Sequence, residues 1–272
     1  MGKFDGFLLL ADIDNTLVFH GEIPPYNLER IRYFTENGGL FSIATGRTPS
    51  GVTYLMEQVP INAPVVSCNG GTITDFQTGR TLYRQNLRQE DKILLCDLFD
   101  RYPDVGAEVQ DGNDVYIVND SKVVRDHVSY EHIPLRLAAA RDLLGIEWHK
   151  ILFSSDDERK IAEITAYTKT LPFCHAYVIN TTNGINQFYI EVHPLESTKS
   201  IGATELKKIV GASKLFTIGD YYNDVDMLQV ADVSAAVGGS PREVIEAATW
   251  EVCEAPKGAV GEFIDKIEAA YC

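Results

Sequence analysis

Four short, nearly apolar runs that each end in a polar residue constrain this chain more than any other feature. Phe7-Leu8-Leu9-Leu10-Ala11 ends in Asp12, Leu40-Phe41-Ser42-Ile43-Ala44 in Thr45, Pro64-Val65-Val66-Ser67-Cys68 in Asn69, and Leu215-Phe216-Thr217-Ile218-Gly219 in Asp220. Runs of this length without alternation suit strands buried on both faces of a parallel sheet. Helix-like segments lie between them, at Leu28 to Asn37 and Lys199 to Val210. The pattern predicts an α/β fold with a Rossmann-like parallel sheet core. In open α/β sheets the ligand site lies beyond the carboxyl ends of the strands, so the four polar residues are expected to gather there.

The stretch from Leu82 to Tyr189 has a different texture. Helical segments (Gln89 to Phe99, Asp157 to Thr170) mix with hairpin-like strands, one turning at Asp111-Gly112-Asn113 and one at Asn183-Gly184. Asx-Gly pairs favour the left-handed backbone of tight hairpins. The mixture predicts an inserted α+β domain over residues 82–189, with residues 1–81 and 190–272 forming the core. The last segment returns to α/β character through Ser234 to Val237, Trp250 to Cys253 and a helix near Val260 to Ala270.

Composition narrows the partners. With 24 basic and 39 acidic residues the chain carries a net charge of −15, which argues against nucleic acid and against anionic membrane surfaces. The longest apolar runs are too short to span a bilayer. The N-terminus has neither a secretory pattern nor the Ser or Thr at position six of a myristoylation motif, where Gly6 stands. A cytoplasmic, soluble protein is expected. The five cysteines, Cys68, Cys96, Cys174, Cys253 and Cys272, form no C-x-x-C pair, so neither zinc nor a disulfide framework is indicated. A small phosphorylated metabolite remains compatible, provided a metal and a local lysine reverse the field at the site.

Four constellations can carry chemistry. In Asp12-Ile13-Asp14-Asn15-Thr16 residues two apart on a strand point the same way, so two carboxylates can meet one ligand. An ionised Asp12 can accept a phosphoryl group; the plain alternative is a solvated strand end or a helix cap. Gly219-Asp220-Tyr221-Tyr222-Asn223-Asp224 offers three oxygen-bearing side chains after a buried strand, as hard cations prefer. Asp220 is the best direct ligand; Asn223 or Asp224 can bind directly or through water, or simply cap a turn. Lys199 follows Ser197-Thr198 at a helix start, where its point charge can meet phosphate oxygens. Thr45-Gly46-Arg47 can hold a phosphoryl oxygen through the hydroxyl and the turn's N–H groups, or be an ordinary strand-to-helix turn. There is no G-x-S-x-G, P-loop, H-E-x-x-H or G-x-G-x-x-G. His193 is expected to be structural, and Tyr221-Tyr222 to serve packing.

With these residues in this order, the sequence resembles the haloacid dehalogenase-like superfamily of phosphatases: DIDNT at Asp12, ATGR at Thr45, Lys199, and GDYYND at Asp220. More narrowly it resembles the Cof-type branch, through Asn69-Gly70-Gly71 after the third strand and a large cap inserted before the lysine. EAPKGAVGEFI, from Glu254 to Ile264, is similar to the family's closing helix. The resemblance implies that Asp12 is nucleophile and magnesium ligand. It implies that Asp14 is general acid and base, with its backbone carbonyl on Mg2+. Thr45 and Lys199 would hold the phosphoryl group, with Gly46, Arg47, Asn69 and Asn223 around it. Asp220 would ligate magnesium, with Asp224 supporting. Departures are Asn15, Glu196, Ser200 and Gly238-Gly239-Ser240, where the family commonly has glycines or a glycine-asparagine-alanine.

The expected activity is a magnesium-dependent hydrolysis of a small phosphomonoester through an aspartyl-phosphate, a sugar phosphate being favoured by the resemblance alone. A phosphomutase would share Asp12 and Asp14 but return the phosphoryl group to a sugar. A phosphate-binding protein of the same fold without turnover is the alternative from a different class. The sequence does not identify the substrate, the cap residues that touch it or the oligomeric state.

Overall fold

The run FLLLA forms a strand, β1 (Phe7–Ala11), buried at every position. The computed structural model describes residues 2–111, 114–130, 136–171, 174–180 and 187–272. The chain divides into two compact units, Met1–Arg84 with Thr198–Cys272, and Gln85–Ser197. After β1 the first unit runs through α1 (Pro25–Glu36), β2 (Leu40–Ile43), β3 (Val65–Ser67), β4 (Thr72–Asp75) and β5 (Arg80–Arg84). The second unit contains α2 (Gln89–Arg101), β6 (Gly106–Asp111), β7 (Asp114–Asn119), α3 (Lys122–Tyr130), β8 (Lys150–Ser155), α4 (Glu158–Thr168), β9 (Cys174–Asn180) and β10 (Phe188–Pro194). The first unit resumes with α5 (Lys199–Val210), β11 (Lys214–Gly219), α6 (Val225–Val230), β12 (Val233–Val237), α7 (Arg242–Ala247), β13 (Trp250–Val252) and α8 (Ala259–Tyr271).

The first unit is built on a parallel five-stranded sheet in the order β13-β12-β11-β1-β2. Side chains alternate between its faces. Leu9, Ala11, Phe41, Ile43, Phe216 and Ile218 point into one cluster with Ile31 and Phe34 of α1 and Phe263, Ile264 and Ile267 of α8. Leu8, Leu10 and Leu215 point into the other, with Ala203 and Leu206 of α5 and Met227 of α6. Each fully buried large side chain contributes about 1.5–3 kcal/mol, which explains why these strands need apolar residues on both faces. β3 departs from the expected parallel core strand. It touches the sheet by a parallel bridge between Ala44 and Val66 but pairs antiparallel with β4, in a separate three-stranded sheet with β5. The nearby Thr72 to Asp75 strand offers it a full antiparallel ladder, which an apolar run alone does not reveal.

The second unit is an antiparallel sheet in the order β7-β6-β8-β10-β9. One face buries Ala107, Val109, Ile151, Phe153, Ile190 and Val192 with Leu95 and Phe99 of α2 and Ile161 and Ile164 of α4. The alternate positions combine polar residues with a small apolar cluster of Leu152 and Tyr189 against Val123 of α3. Lys150 Nζ donates to Glu191 Oε1 at 2.6 Å, and His193 Nε2 lies 3.0 Å from Glu191 Oε2. Burial opposes the charge on Glu191, but Lys150 and His193 outweigh it and hold the carboxyl below its usual range. His193, fully buried in this network, has the structural setting expected of it. Gly112, Asn113, Asn183 and Gly184, the expected hairpin turn residues, lie outside the described residues. The mixed fold is therefore a parallel α/β core with additional antiparallel sheets.

Candidate active site

β1 pairs with β2 on one side and with β11 on the other, so the chain leaves β1 in opposite directions. Such a switch point opens a crevice at the carboxyl ends of the strands. Asp12 follows β1, and its N–H donates to Ile218 O of β11 at 2.9 Å. Asp220 follows β11. Carboxylate oxygens of Asp12, Asp220 and Asp224 lie within 4.8 Å of one another. Lys199, the first residue of α5, reaches this group although its side chain is 1% exposed. Its Nζ donates to Asp12 Oδ1 and to Asp224 Oδ1, both at 2.6 Å. Helix α5 begins there because Thr198 caps it, accepting the Ile201 N–H at 3.3 Å, while Asp226 Oδ2 accepts the Ser200 N–H at 3.2 Å.

Asp224 is occupied on both oxygens. Besides Lys199 on Oδ1, its Oδ2 accepts the N–H groups of Asp220 and Tyr221, each at 3.1 Å. A Cβ at position 219 would overlap the Asp224 carboxyl, so the loop folds back only with Gly219 before it. Asp224 thus holds Lys199 and the loop, and its carboxylate also stands in the group of three acids that could meet a cation. Asp220 Oδ1 accepts the Thr16 hydroxyl at 2.8 Å. Sequence reasoning left Thr16 and Asp226 without roles; the fifth position of the D-x-D-x-T segment was the available signal for Thr16.

The electrostatics are those of crowded acids. Burial raises the Asp12 carboxyl well above its ordinary value; Lys199 opposes this, while Asp224 and Asp220 add to it. Burial and the neighbouring Asp224 push Asp220 up to about 7. Burial disfavours the Lys199 ammonium, but the Asp12 and Asp224 carboxylates outweigh that and hold it charged above the ordinary lysine value. A divalent cation would relieve the repulsion between Asp12 and Asp220. An oxygen-only donor set without His or Cys suits a hard cation such as magnesium, so the residues fit the expected metal.

The second strand end lies on the other side of β1. Thr45 N–H donates to Val66 O at 3.0 Å, and Asn69 N–H to Thr45 O at 2.9 Å. Thr45 Oγ1 accepts the Arg47 N–H at 3.1 Å. Cys68, Asn69 and Gly70 are consecutively left-handed, with φ of 52°, 50° and 92°. A side chain at Gly70 would collide with Thr198 O, so the tight turn also lets α5 approach. Asn69, buried, accepts the Asn223 amide on Oδ1 at 3.3 Å, and the Gly46 backbone passes beside the same amide. Asn15 takes a left-handed φ of 58°, which asparagine tolerates better than most residues; asparagine at this position is compatible with the loop. Arg47 donates from Nε to Asp14 Oδ2 at 3.1 Å and from Nη2 to Asp14 Oδ1 at 2.9 Å.

The two tyrosines pack against each other rather than into the core. Tyr221 and Tyr222 are 51% and 52% exposed and meet each other edge-on, with centroids 5.0 Å apart. They stand on the loop held by Asp224, which accepts the Tyr221 N–H. Among the described residues, no helix is long and apolar enough to cross a membrane.

Comparison with known proteins bears on this geometry. A family model described as haloacid dehalogenase-like hydrolase matches residues 9–264. Two proteins of Bacillus subtilis (strain 168) are each named 5-amino-6-(5-phospho-D-ribitylamino)uracil phosphatase. One is 24% identical over 267 residues, covering 95% of this chain and 96% of its own. The other is 26% identical over 287 residues, covering 95% and 97%. The crystal structure of a haloacid dehalogenase-like hydrolase from Bacteroides thetaiotaomicron superposes with a TM-score of 0.81 at 22% identity, over 97% of this chain and 99% of that one.

Proposed function

This chain belongs to the haloacid dehalogenase-like hydrolases and is a phosphohydrolase; from that premise we propose that it is a magnesium-dependent phosphatase of small phosphomonoesters, working through an aspartyl-phosphate on Asp12. The observation that carries this reading is Lys199, buried and 2.6 Å from Asp12. A nucleophilic carboxylate and a phosphate repel each other, and phosphoryl transfer needs charge neutralisation and positioning more than covalent help.

In the first step an Asp12 oxygen bonds to phosphorus as the ester oxygen leaves, and that oxygen takes a proton from Asp14. In the second, water bonds to phosphorus, gives a proton to Asp14 and releases Asp12. Lys199 offsets charge at Asp12 in both steps. Thr45, with the Gly46 turn and the Asn69 and Asn223 amides beside it, orients the phosphoryl oxygens. Asp12, Asp220 and the Asp14 backbone carbonyl would hold magnesium, which would add to the neutralisation of the phosphate's charge. General acid–base help of this kind contributes typically about 10²–10⁴-fold.

The favoured substrates are sugar or sugar-alcohol phosphates, in keeping with the phosphorylated ribityl chain in the names of the two Bacillus subtilis relatives. The inserted unit, Gln85–Ser197, is assigned to choosing among them. The test is a phosphate-release screen with magnesium over hexose and pentose phosphates, pentitol phosphates, nucleotides and cofactor phosphates. Release fastest from sugar or polyol esters supports the reading; no release from any ester sinks it, and fastest release from nucleotides removes the substrate class.

A further inference from the structure

We propose that Arg47 is an exchange residue: it holds Asp14 in the resting protein and lets go of it when a phosphoryl group arrives. The inference rests on the reading of Asp14 as acid and base and adds a control on when it can act. Both Asp14 oxygens accept from one guanidinium, at 3.1 and 2.9 Å. In that arrangement the guanidinium takes one lone pair on each oxygen and fixes the orientation of the carboxylate. The Asp14 that takes part in chemistry therefore has a different partner from the Asp14 of the resting protein.

The exchange is built for the phosphoryl group. An arginine fork matches two oxygens of a phosphate as well as those of a carboxylate, and a phosphate dianion carries more charge. The pair is also easily parted. The side chains are 28% and 58% exposed for Arg47 and Asp14, and exposed ion pairs add little net stability. The Arg47 backbone, in contrast, is tied down. Its N–H donates to Thr45 Oγ1 at 3.1 Å and its carbonyl accepts the Cys68 N–H at 2.9 Å. Only the side chain needs to swing, from a base fixed beside the phosphate-orienting turn. Asp14, once released, is free to turn toward the leaving oxygen. Because the phosphate takes the fork, arrival of a phosphoryl group shifts Asp14 toward its released state.

The test is a double-mutant cycle on inorganic phosphate binding, followed by ³¹P NMR titration of the full chain with magnesium. If Asp14 and phosphate compete for Arg47, Asp14→Asn should bind phosphate about fivefold more tightly than the wild type, because a carboxylate no longer competes for the guanidinium. In an Arg47→Met background the same change should alter affinity by less than about twofold. Asp14→Ser repeats the measurement should the amide variant not fold. Removing a negative charge tightens anion binding by itself, but that effect is independent of Arg47. Equal tightening in both backgrounds, or none in either, overturns the proposal. Turnover of phosphomonoesters by the wild type is measured in parallel. Its absence would strike the catalytic reading alone, because the phosphate cycle requires no turnover.

Discussion

Lys199 and Asp224 form a 2.6 Å ion pair in which both side chains are buried, and the same ammonium reaches Asp12 at the same distance. The lysine next to the proposed nucleophile is thus held from behind by a carboxylate that also accepts two backbone N–H groups.

A division of labour between two acids follows. Asp224→Ala should cost about 1–3 kcal/mol of stability, since Lys199 keeps Asp12 as a partner but the Asp220 and Tyr221 N–H groups lose their acceptor, and denaturant titration measures it. The magnesium concentration for half-maximal activity should change little in Asp224→Asn and rise strongly in Asp220→Asn. An equal rise in the two would make Asp224 a direct ligand.

Asp12→Asn keeps the shape of the side chain and removes its charge as nucleophile. Turnover should fall below detection while the melting curve stays cooperative. In the wild type, acid quenching during turnover of a ³²P-labelled ester should trap label on the protein, and the label should be absent from the variant. Sustained activity in the variant without deamidation to aspartate would refute the assignment.

Chelation and pH should act together through Asp220. Its carboxyl lies near 7 in the folded, metal-free protein because of burial and Asp224, against roughly 3.9 unfolded. Between those values the folded state binds the extra proton. The contribution to stability is therefore fully present below pH 4 and is lost as pH rises through 7, amounting to a few kcal/mol at most. Relative to Asp220→Asn, the chelated wild type should lose melting temperature from about pH 4 to 7 and then level off. The rise in melting temperature on adding magnesium should grow over the same window, because the cation must displace that proton. A magnesium effect independent of pH would contradict the carboxylate coupling. Calcium, with looser and higher coordination, should stabilise the fold yet depress turnover.

Much of the site was legible because burial and chemistry share positions. β1 and β11 need apolar residues throughout, so the first polar residue after each, Asp12 or Asp220, stands out. Lys199 was legible through Ser197-Thr198, and Thr198 does cap α5. The use made of Asp224 was not legible. Three oxygen donors in five residues look alike in sequence, and only the close passage over Gly219 turns Asp224 back on its own loop. The Arg47–Asp14 pair joins residues 33 apart, a relation with no local signal. β3 was read as a core strand because its run is nearly apolar, whereas its ladder partner is the strand five residues on.

The dual role proposed for Asp14 predicts an asymmetry between substrates. A sugar alkoxide is a poor leaving group and needs a proton as the ester bond breaks. A nitrophenolate, whose conjugate acid has a pKa of roughly 7, needs little, because general-acid help matters most for basic leaving groups. Asp14→Ala should therefore slow phosphorylation of Asp12 with a sugar phosphate by about 10²–10⁴-fold and with nitrophenyl phosphate far less. Hydrolysis of the aspartyl-phosphate should slow with both, since the attacking water has lost its base. Rapid mixing of the variant with nitrophenyl phosphate should give a burst of nitrophenolate, close to one equivalent per site, and then a slow steady rate. The sugar phosphate should give no burst, because its first step is already slow. Equal losses in the first step for the two esters would mean that Asp14 is not the acid, and its part would shrink to holding the loop and Arg47.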